Sequence, residues 1–171
     1  MRNKLVEVFM FPVLFVLLLV DGQLSTLVTN WSVDLFSVSS HLVFMLAIFY
    51  ANYVSVRFSL LVFTLLGLIY DISYLGLIGI AITTFPLVGY CIYFFFQGFD
   101  RKRGLNALIL LVVVFQFEFI SYLFARIFHM TNLSVFIFVF NKLLPSLVFN
   151  LLLFLVLQPL LERLFGITNK T

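Results

Sequence analysis

Six long apolar runs occupy most of this 171-residue sequence, and they exclude a fold built on one soluble core. The runs cover residues 4–24, 40–56, 58–74, 75–97, 105–128 and 134–162. A helix crosses the hydrocarbon layer of a bilayer with about 20 residues, and each run is near that length. Only 10% of the residues are charged, which is too few to give a globular domain of this size a polar shell. The sequence therefore predicts an all-α polytopic membrane protein, a single domain of six transmembrane helices.

The distribution of lysine and arginine predicts that both termini are cytoplasmic. With six crossings and the N-terminus inside, most of the cations fall on the cytoplasmic side: Arg2, Lys4, Arg57, Arg101, Lys102, Arg103, Arg163 and Lys170. Arg126 and Lys142 fall toward the exterior. Cations near helix ends resist translocation, so this asymmetry favours six spans. It also explains the basic run at residues 100–103 as a determinant of topology, and no nucleic-acid partner is predicted. We expect residues 21–39 to form an exterior loop.

Four ionisable residues within the apolar runs, Glu7, Asp71, Glu118 and Arg126, are candidates for function or for contact with a partner. Glu7 lies in the first turns of the first helix, where its side chain can reach the cytoplasmic interface. A charged group inside a membrane costs about 2.5–3.5 kcal/mol on insertion scales, so each needs a partner, a wet cavity or a route to the interface. Asp71 lies just before the turn between the third and fourth helices. It is either a proton or substrate site, or a structural carboxylate that accepts backbone N–H groups at that turn.

Glu118 is the ionisable residue nearest to the middle of a predicted span. Arg126 follows about two helical turns later, roughly 12 Å away at 1.5 Å per residue, so the two side chains are not expected to pair. We expect Glu118 to have an interhelical partner, either in this chain or in another protein. Interaction is favoured over catalysis for this residue.

Glycine and proline residues predict how the third and fourth helices pack. Gly67, Gly76 and Gly79 remove side chains where these helices turn back on each other, and small residues let helix backbones approach closely in a membrane. Pro86, in the middle of the fourth helix, removes a helical hydrogen bond and favours a kink.

No group of residues predicts catalysis, a cofactor or a metal. A metal site needs three or four ligands, whereas His41 and His129 are far apart in the sequence and Cys91 is the one cysteine. There is no serine elbow, zinc-protease helix or phosphate-binding glycine loop. The sequence therefore predicts a protein that is not an enzyme.

The stretch "LLGLIYDISYLGLIGIAITTFPLVGY", residues 65–90, resembles the signature region of the MreD family, the rod shape-determining membrane proteins of bacteria. Gly67, Asp71, Gly76 and Gly79 are the most specific part of this resemblance. The short basic N-terminus, the proline in the first span and the last span, "LPSLVFNLLLFLVLQPLLERLF", extend the similarity across nearly the whole chain.

The resemblance implies a multi-pass protein of the bacterial cytoplasmic membrane that acts as a scaffold of the cell-wall elongation machinery. Its implied partner is MreC, a single-span protein with an extracytoplasmic coiled coil and β-domain. The wider assembly would include the actin-like MreB, a polymerase of the shape, elongation, division and sporulation (SEDS) family, a class B penicillin-binding protein, and membrane lipids.

A second function class remains open on size and topology. The substrate-binding subunits of vitamin transporters of the energy-coupling-factor type are also small six-helix membrane proteins. That alternative predicts a polar pocket near the exterior, for which Asn30, Trp31 and Asp34 are available.

Overall fold

The computed structural model describes residues 4–32, 36–51, 53–98 and 103–165, and every regular element within them is helical. The elements are α1 (Lys4–Trp31), α2 (Leu42–Tyr50), α3 (Val56–Tyr70), π1 (Asp71–Leu75), α4 (Ala81–Gly98), α5 (Arg103–Ile127), α6 (Val135–Phe138), π2 (Val139–Leu143) and α7 (Leu144–Leu164). The π segments are single π-helical turns. π1 continues α3 directly, and π2 joins α6 to α7. The predicted all-α class is confirmed for this part of the chain.

Four helical stretches among the described residues are long and apolar enough to cross a membrane. They are Phe9–Trp31, Val56–Leu75, Gly104–Ile127 and Val135–Leu164. Ala81–Phe95, in α4, is a shorter apolar helix. α2 has only nine residues, and its side chains from Val43 to Tyr50 are all buried by other helices. The composition and these helices identify a membrane protein.

Several helix ends differ from the sequence prediction. α1 continues to Trp31, although we expected an exterior loop from residue 21 onward. α4 begins at Ala81, because the chain bends over residues 76–80. The physical reason is glycine at two positions with positive φ, Gly76 at 64° and Gly79 at 146°, which end the helix after π1.

The helices run alternately up and down. Asp21, in the second half of α1, accepts hydrogen bonds from the backbone N–H groups of Leu42 and Val43 at the start of α2. The end where α1, α3 and α5 finish, and where α2, α4 and α6 begin, is called the upper end below.

Aromatic rings fill the bundle just beneath the upper end. Phe44 of α2, Phe85 of α4 and Phe117 of α5 are mutually in contact, with ring centroids 5.2–5.4 Å apart. Phe63 and Tyr70 of α3 pack against the same group. These five rings bring α2, α3, α4 and α5 together around one buried core and place the polar groups above it.

Candidate functional site

Polar side chains from five separate segments, most of them buried, gather at the upper end. This set, called the upper cluster, comprises Asp21, Ser39, Ser40, His41, Glu118, Lys142, Ser146 and Asn150. It draws on α1, the segment before α2, α5, π2 and α7. Polar groups in an apolar interior are stable only when they are hydrogen-bonded or paired, so the bonds within the cluster decide how it holds together.

Glu118 is the centre of the upper cluster, with only 2% of its side chain exposed. Its Oε1 atom lies 3.0 Å from Nε2 of His41, and its Oε2 atom lies 3.4 Å from Nζ of Lys142. Glu118 therefore has interhelical partners within this chain, which is one of the two possibilities expected from the sequence. Arg126 is not among them, also as expected.

Asp21 organises the start of α2. Its Oδ1 atom accepts hydrogen bonds from the Ser40 hydroxyl at 2.6 Å and from the Leu42 N–H at 2.8 Å. Its Oδ2 atom accepts from the Val43 N–H at 3.1 Å. A carboxylate that accepts the first free N–H groups of a helix is a favourable cap, so Asp21 fixes α2 to α1.

Asn150 and Ser146 of α7 bind the extended segment before α2. The Asn150 side chain accepts from the His41 N–H at 2.8 Å and donates to the Ser39 carbonyl at 2.7 Å. The Ser146 hydroxyl accepts from the Ser39 N–H at 3.0 Å. α7 thus satisfies backbone groups of a non-helical segment where it packs into the helical bundle.

The π2 turn has a local cause that also positions Lys142. Pro145 has no N–H, so the carbonyl of Asn141, four residues earlier, has no helical donor from that position. That carbonyl accepts the Ser37 N–H at 2.8 Å instead. The wider π2 turn places Lys142 beside Glu118, consistent with the frequent occurrence of such turns at functional sites.

Asp71 forms a second, separate anchor. It is fully buried, and its carboxylate accepts the N–H groups of Gly79, Ala81 and Ile82 at 2.7–3.1 Å. These are donors of the bend and of the first turn of α4. The sequence allowed two interpretations of Asp71, a proton or substrate site and a structural carboxylate. This geometry is that of the structural carboxylate.

The three glycines of the α3–α4 hairpin act in two different ways. A Cβ atom on Gly67 would collide with the backbone carbonyl of Ala81, so α3 and α4 do approach closely there. A Cβ atom on Gly76 or Gly79 would meet nothing within 4 Å. Our expectation of close backbone packing therefore applies to Gly67, whereas Gly76 and Gly79 supply backbone conformations that other residues rarely adopt.

The remaining predicted residues lie outside the upper cluster. Pro86 lies inside α4, which runs continuously from Ala81 to Gly98. Arg126, at the exposed end of α5, donates to the Tyr122 hydroxyl at 2.9 Å, and that hydroxyl donates to the Leu133 carbonyl at 2.8 Å.

Two cavities flank the contact between His41 and Glu118. The first, of about 180 Å³, is lined on its polar side by Ser39, Glu118, Ser121 and Lys142. The second, of about 170 Å³, is lined on its polar side by Asp21, Ser25, Thr26, Ser39, Ser40 and His41. Ser39, Tyr70 and Phe117 line both cavities, so the two spaces are close neighbours.

The chemistry available to this site is hydrogen bonding and ion pairing. Among the described residues, no three histidine, cysteine, aspartate or glutamate side chains are grouped so that they could hold a metal ion. Sequence reasoning missed the roles of His41, Lys142 and Asp21. The signal for His41 was its position at the predicted start of the second helix, on the same side of the membrane as Lys142.

The sequence comparisons identify the family. The family described as rod shape-determining protein MreD matches residues 2–167. A curated relative, the cell shape-determining protein MreD of Streptococcus pneumoniae, is 30% identical over 162 residues, which is 95% of this chain and 97% of the relative. No solved structure matches. The chain belongs to the MreD family of rod shape-determining membrane proteins, and its role is in cell shape.

Proposed function

We propose that this protein is a non-enzymatic scaffold of the bacterial cell-wall elongation machinery and that it binds a bitopic MreC-like partner. The observation that carries the proposal is the similarity, over 95% of the chain, to a cell shape-determining protein. The bonding of the buried carboxylates supports it, because Asp21, Asp71 and Glu118 are all engaged in contacts that join helices of this chain. Such contacts hold the helical body together.

The partner's transmembrane helix would pack against the side of the helical body. α1 is the candidate for that contact, because only 17% of its apolar stretch is buried, the smallest share of the four long stretches. Phe9, Val16 and Leu19 of α1 are 44–60% exposed. Association of helices in lipid depends on packing and on interhelical hydrogen bonds, since lipid tails are as apolar as leucine.

We also propose that the protein lies in the cytoplasmic membrane as six spans with both termini cytoplasmic. Arg57 lies in the first turn of α3 and Arg163 in the last turn of α7, so both lie at the end opposite the upper cluster. The excess of lysine and arginine at that end supports a cytoplasmic location for it and an exterior location for the upper end. The MreC-like partner would then connect this body to MreB, to a SEDS-family polymerase and to a class B penicillin-binding protein.

Co-purification tests the proposed binding. The chain is co-expressed with the MreC-like protein of its own genome, extracted in mild detergent and passed over a size-exclusion column, and the mass of the complex is measured. We expect a complex of defined stoichiometry. Elution of the two proteins as separate species, each folded and monodisperse, would contradict the proposal.

The transporter-subunit alternative is supported by one observation, the two cavities with polar walls at the upper end. Mass spectrometry of the purified chain distinguishes the two functions. A stoichiometric vitamin-like ligand, together with no MreC-like partner, would favour the transporter subunit.

A further inference from the structure

The cavity beside Lys142 contains two polar groups that the protein itself leaves with unused hydrogen-bonding capacity. The Lys142 ammonium group has three N–H donors, and its contact with Glu118 is the one polar contact it makes within the described residues. Its side chain is 40% exposed although it emerges beside a fully buried carboxylate. Two donors of a cation therefore remain available to a group in the cavity.

Ser121 provides the second unused group. Its hydroxyl is buried and has no hydrogen-bond partner among the described residues. Hydroxyls on apolar helices usually donate to the carbonyl four residues earlier, and Ser25, Thr64 and Thr84 of this protein do so. Ser121 lacks that bond and lines the same cavity as Lys142. A buried hydroxyl without a partner is unfavourable unless something else accepts its proton or donates to it.

Apart from Ser39, Glu118 and Thr131, the rest of the cavity wall is apolar and aromatic. Tyr122 and Phe138 stack with their ring centroids 4.1 Å apart, and Met130 and Leu133 complete that side. A ligand that fits this wall has a charged or polar head and an apolar body. The head should be negatively charged. The Glu118 carboxylate already lies between His41 and Lys142, whereas the ammonium group of Lys142 has N–H donors that are not used.

We propose that this cavity is a binding site for an amphipathic anion. The phosphate or carboxylate head accepts a hydrogen bond from Lys142, and a second from Ser121 when that side chain turns its hydroxyl into the cavity. The apolar part packs against Tyr122, Leu133 and Phe138. Both a membrane lipid with an anionic headgroup and a smaller apolar phosphate or carboxylate have this chemistry. The site is independent of the proposed MreC-like partner, because its residues belong to this chain alone.

Native mass spectrometry of the full-length protein in a neutral maltoside detergent tests the site. The probes are phosphatidylglycerol, the zwitterionic phosphatidylcholine with the same acyl chains, octyl phosphate and inorganic phosphate. We expect one phosphatidylglycerol molecule to be retained, with phosphatidylcholine at least about tenfold weaker, since a hydrogen bond to a charged group contributes about 1.5–3 kcal/mol. Displacement of the lipid by octyl phosphate would show that any apolar anion suffices, and retention of the lipid alone would assign the site to a membrane lipid.

Three variants separate this site from general attraction of anions to a basic surface. Lys142→Gln removes the ammonium group, and Ser121→Leu fills the cavity without changing any charge, so it remains informative if Lys142→Gln fails to fold. Arg126→Gln is the matched control, because it removes one cation from the same end of the bundle but not from the cavity wall. We expect the first two variants to lose the bound lipid and the control to keep it.

Three results would overturn the proposal. The first is equal retention of phosphatidylglycerol by Ser121→Leu and the unmodified chain. The second is an equal loss in Arg126→Gln and Lys142→Gln, which would show that the anion is attracted by surface charge. The third is stronger retention of inorganic phosphate than of either amphiphile, which would contradict an amphipathic ligand.

Discussion

Glu118 Oε1 lies 3.0 Å from His41 Nε2, and this contact joins the middle of α5 to the residue that precedes α2. Lys142 adds a third segment to the same carboxylate. Removal of one member of a hydrogen-bonded group around a buried carboxylate leaves its partners unsatisfied, which is more damaging than exchanging the partners together for apolar residues. The upper cluster is therefore expected to behave as a unit in mutagenesis.

Glu118 substitutions should rank by how much hydrogen bonding they preserve. We expect Glu118→Gln to lower the free energy of unfolding by about 1–3 kcal/mol, because the amide still offers one acceptor to His41 or Lys142. Glu118→Ala should cost more, since His41 and Lys142 both lose the carboxylate that accepts their hydrogen bonds. Melting in detergent, followed by size-exclusion fluorescence, measures the order. Arg126→Gln on the exposed end of the same helix is the control and should melt close to the unmodified protein.

Removal of the Asp71 side chain should destabilise the α3–α4 hairpin more than neutralisation of its charge does. Asp71→Asn retains one acceptor oxygen for the N–H groups of Gly79, Ala81 and Ile82, whereas Asp71→Ala leaves all three donors without it. Each buried donor left unsatisfied costs about 1–3 kcal/mol. Hydrogen exchange at these amides is expected to be fastest in Asp71→Ala and intermediate in Asp71→Asn. Full activity in shape rescue by Asp71→Ala with unchanged amide protection would contradict this structural role.

Gly67 should be the least replaceable glycine of the hairpin. Its Cβ position is occupied by the backbone carbonyl of Ala81, and backbone cannot move aside as a flexible side chain can. Gly67→Leu is therefore expected to reduce the yield of folded protein sharply. Gly104→Leu is the matched control, because nothing lies within 4 Å of the corresponding position. Equal yields for the two variants would show that the α3–α4 contact tolerates separation.

The effect of substituting Gly76 should depend on the backbone preference of the new residue and not on the size of its side chain. Its φ of 64° lies in the left-handed region, which asparagine tolerates better than β-branched residues do. We expect Gly76→Asn to melt near the unmodified protein and Gly76→Val to melt at a lower temperature. If Gly76→Asn and Gly76→Val both melted at the same temperature, below that of the unmodified protein, the cause would be steric instead.

The proposed topology predicts the accessibility of single cysteines. The variant Thr131→Cys, made in a Cys91→Ala background, places a cysteine in the loop between α5 and α6. It should react with a membrane-impermeant maleimide added to intact cells. The variant Arg57→Cys, at the start of α3, should react only after the membrane is permeabilised. The reverse pattern would invert the proposed orientation.

The apolar runs and the placement of cations were sufficient to predict an all-α membrane protein, because membrane helices require long apolar segments. Local chemistry also allowed Asp71 to be read as an acceptor for backbone groups at the turn. The bonds of the upper cluster were not predictable, since Asp21, His41 and Lys142 are separated by long stretches of sequence and meet Glu118 or its neighbours only after the helices pack.

Two local features misled the sequence prediction. Residues 21–31 contain aspartate, glycine and serine, which favour loops, yet Asp21 and Gly22 carbonyls accept the hydroxyls of Ser25 and Thr26 and α1 continues. Gly76 and Gly79 were grouped with Gly67 as packing residues because they are close in sequence. Their positive φ values could not be read from composition alone.

Rescue of cell shape by Glu118→Gln tests the scaffold account most directly. The variant is expressed in cells of its own host that lack the native gene, at a membrane abundance matched to the unmodified protein, and cell dimensions are measured by microscopy. We expect normal shape, because a folded scaffold needs the contacts of Glu118 and not its ionisation. A loss of shape in cells where Glu118→Gln is folded, abundant and still bound to its MreC-like partner would contradict it, and would assign a chemical role to the carboxylate.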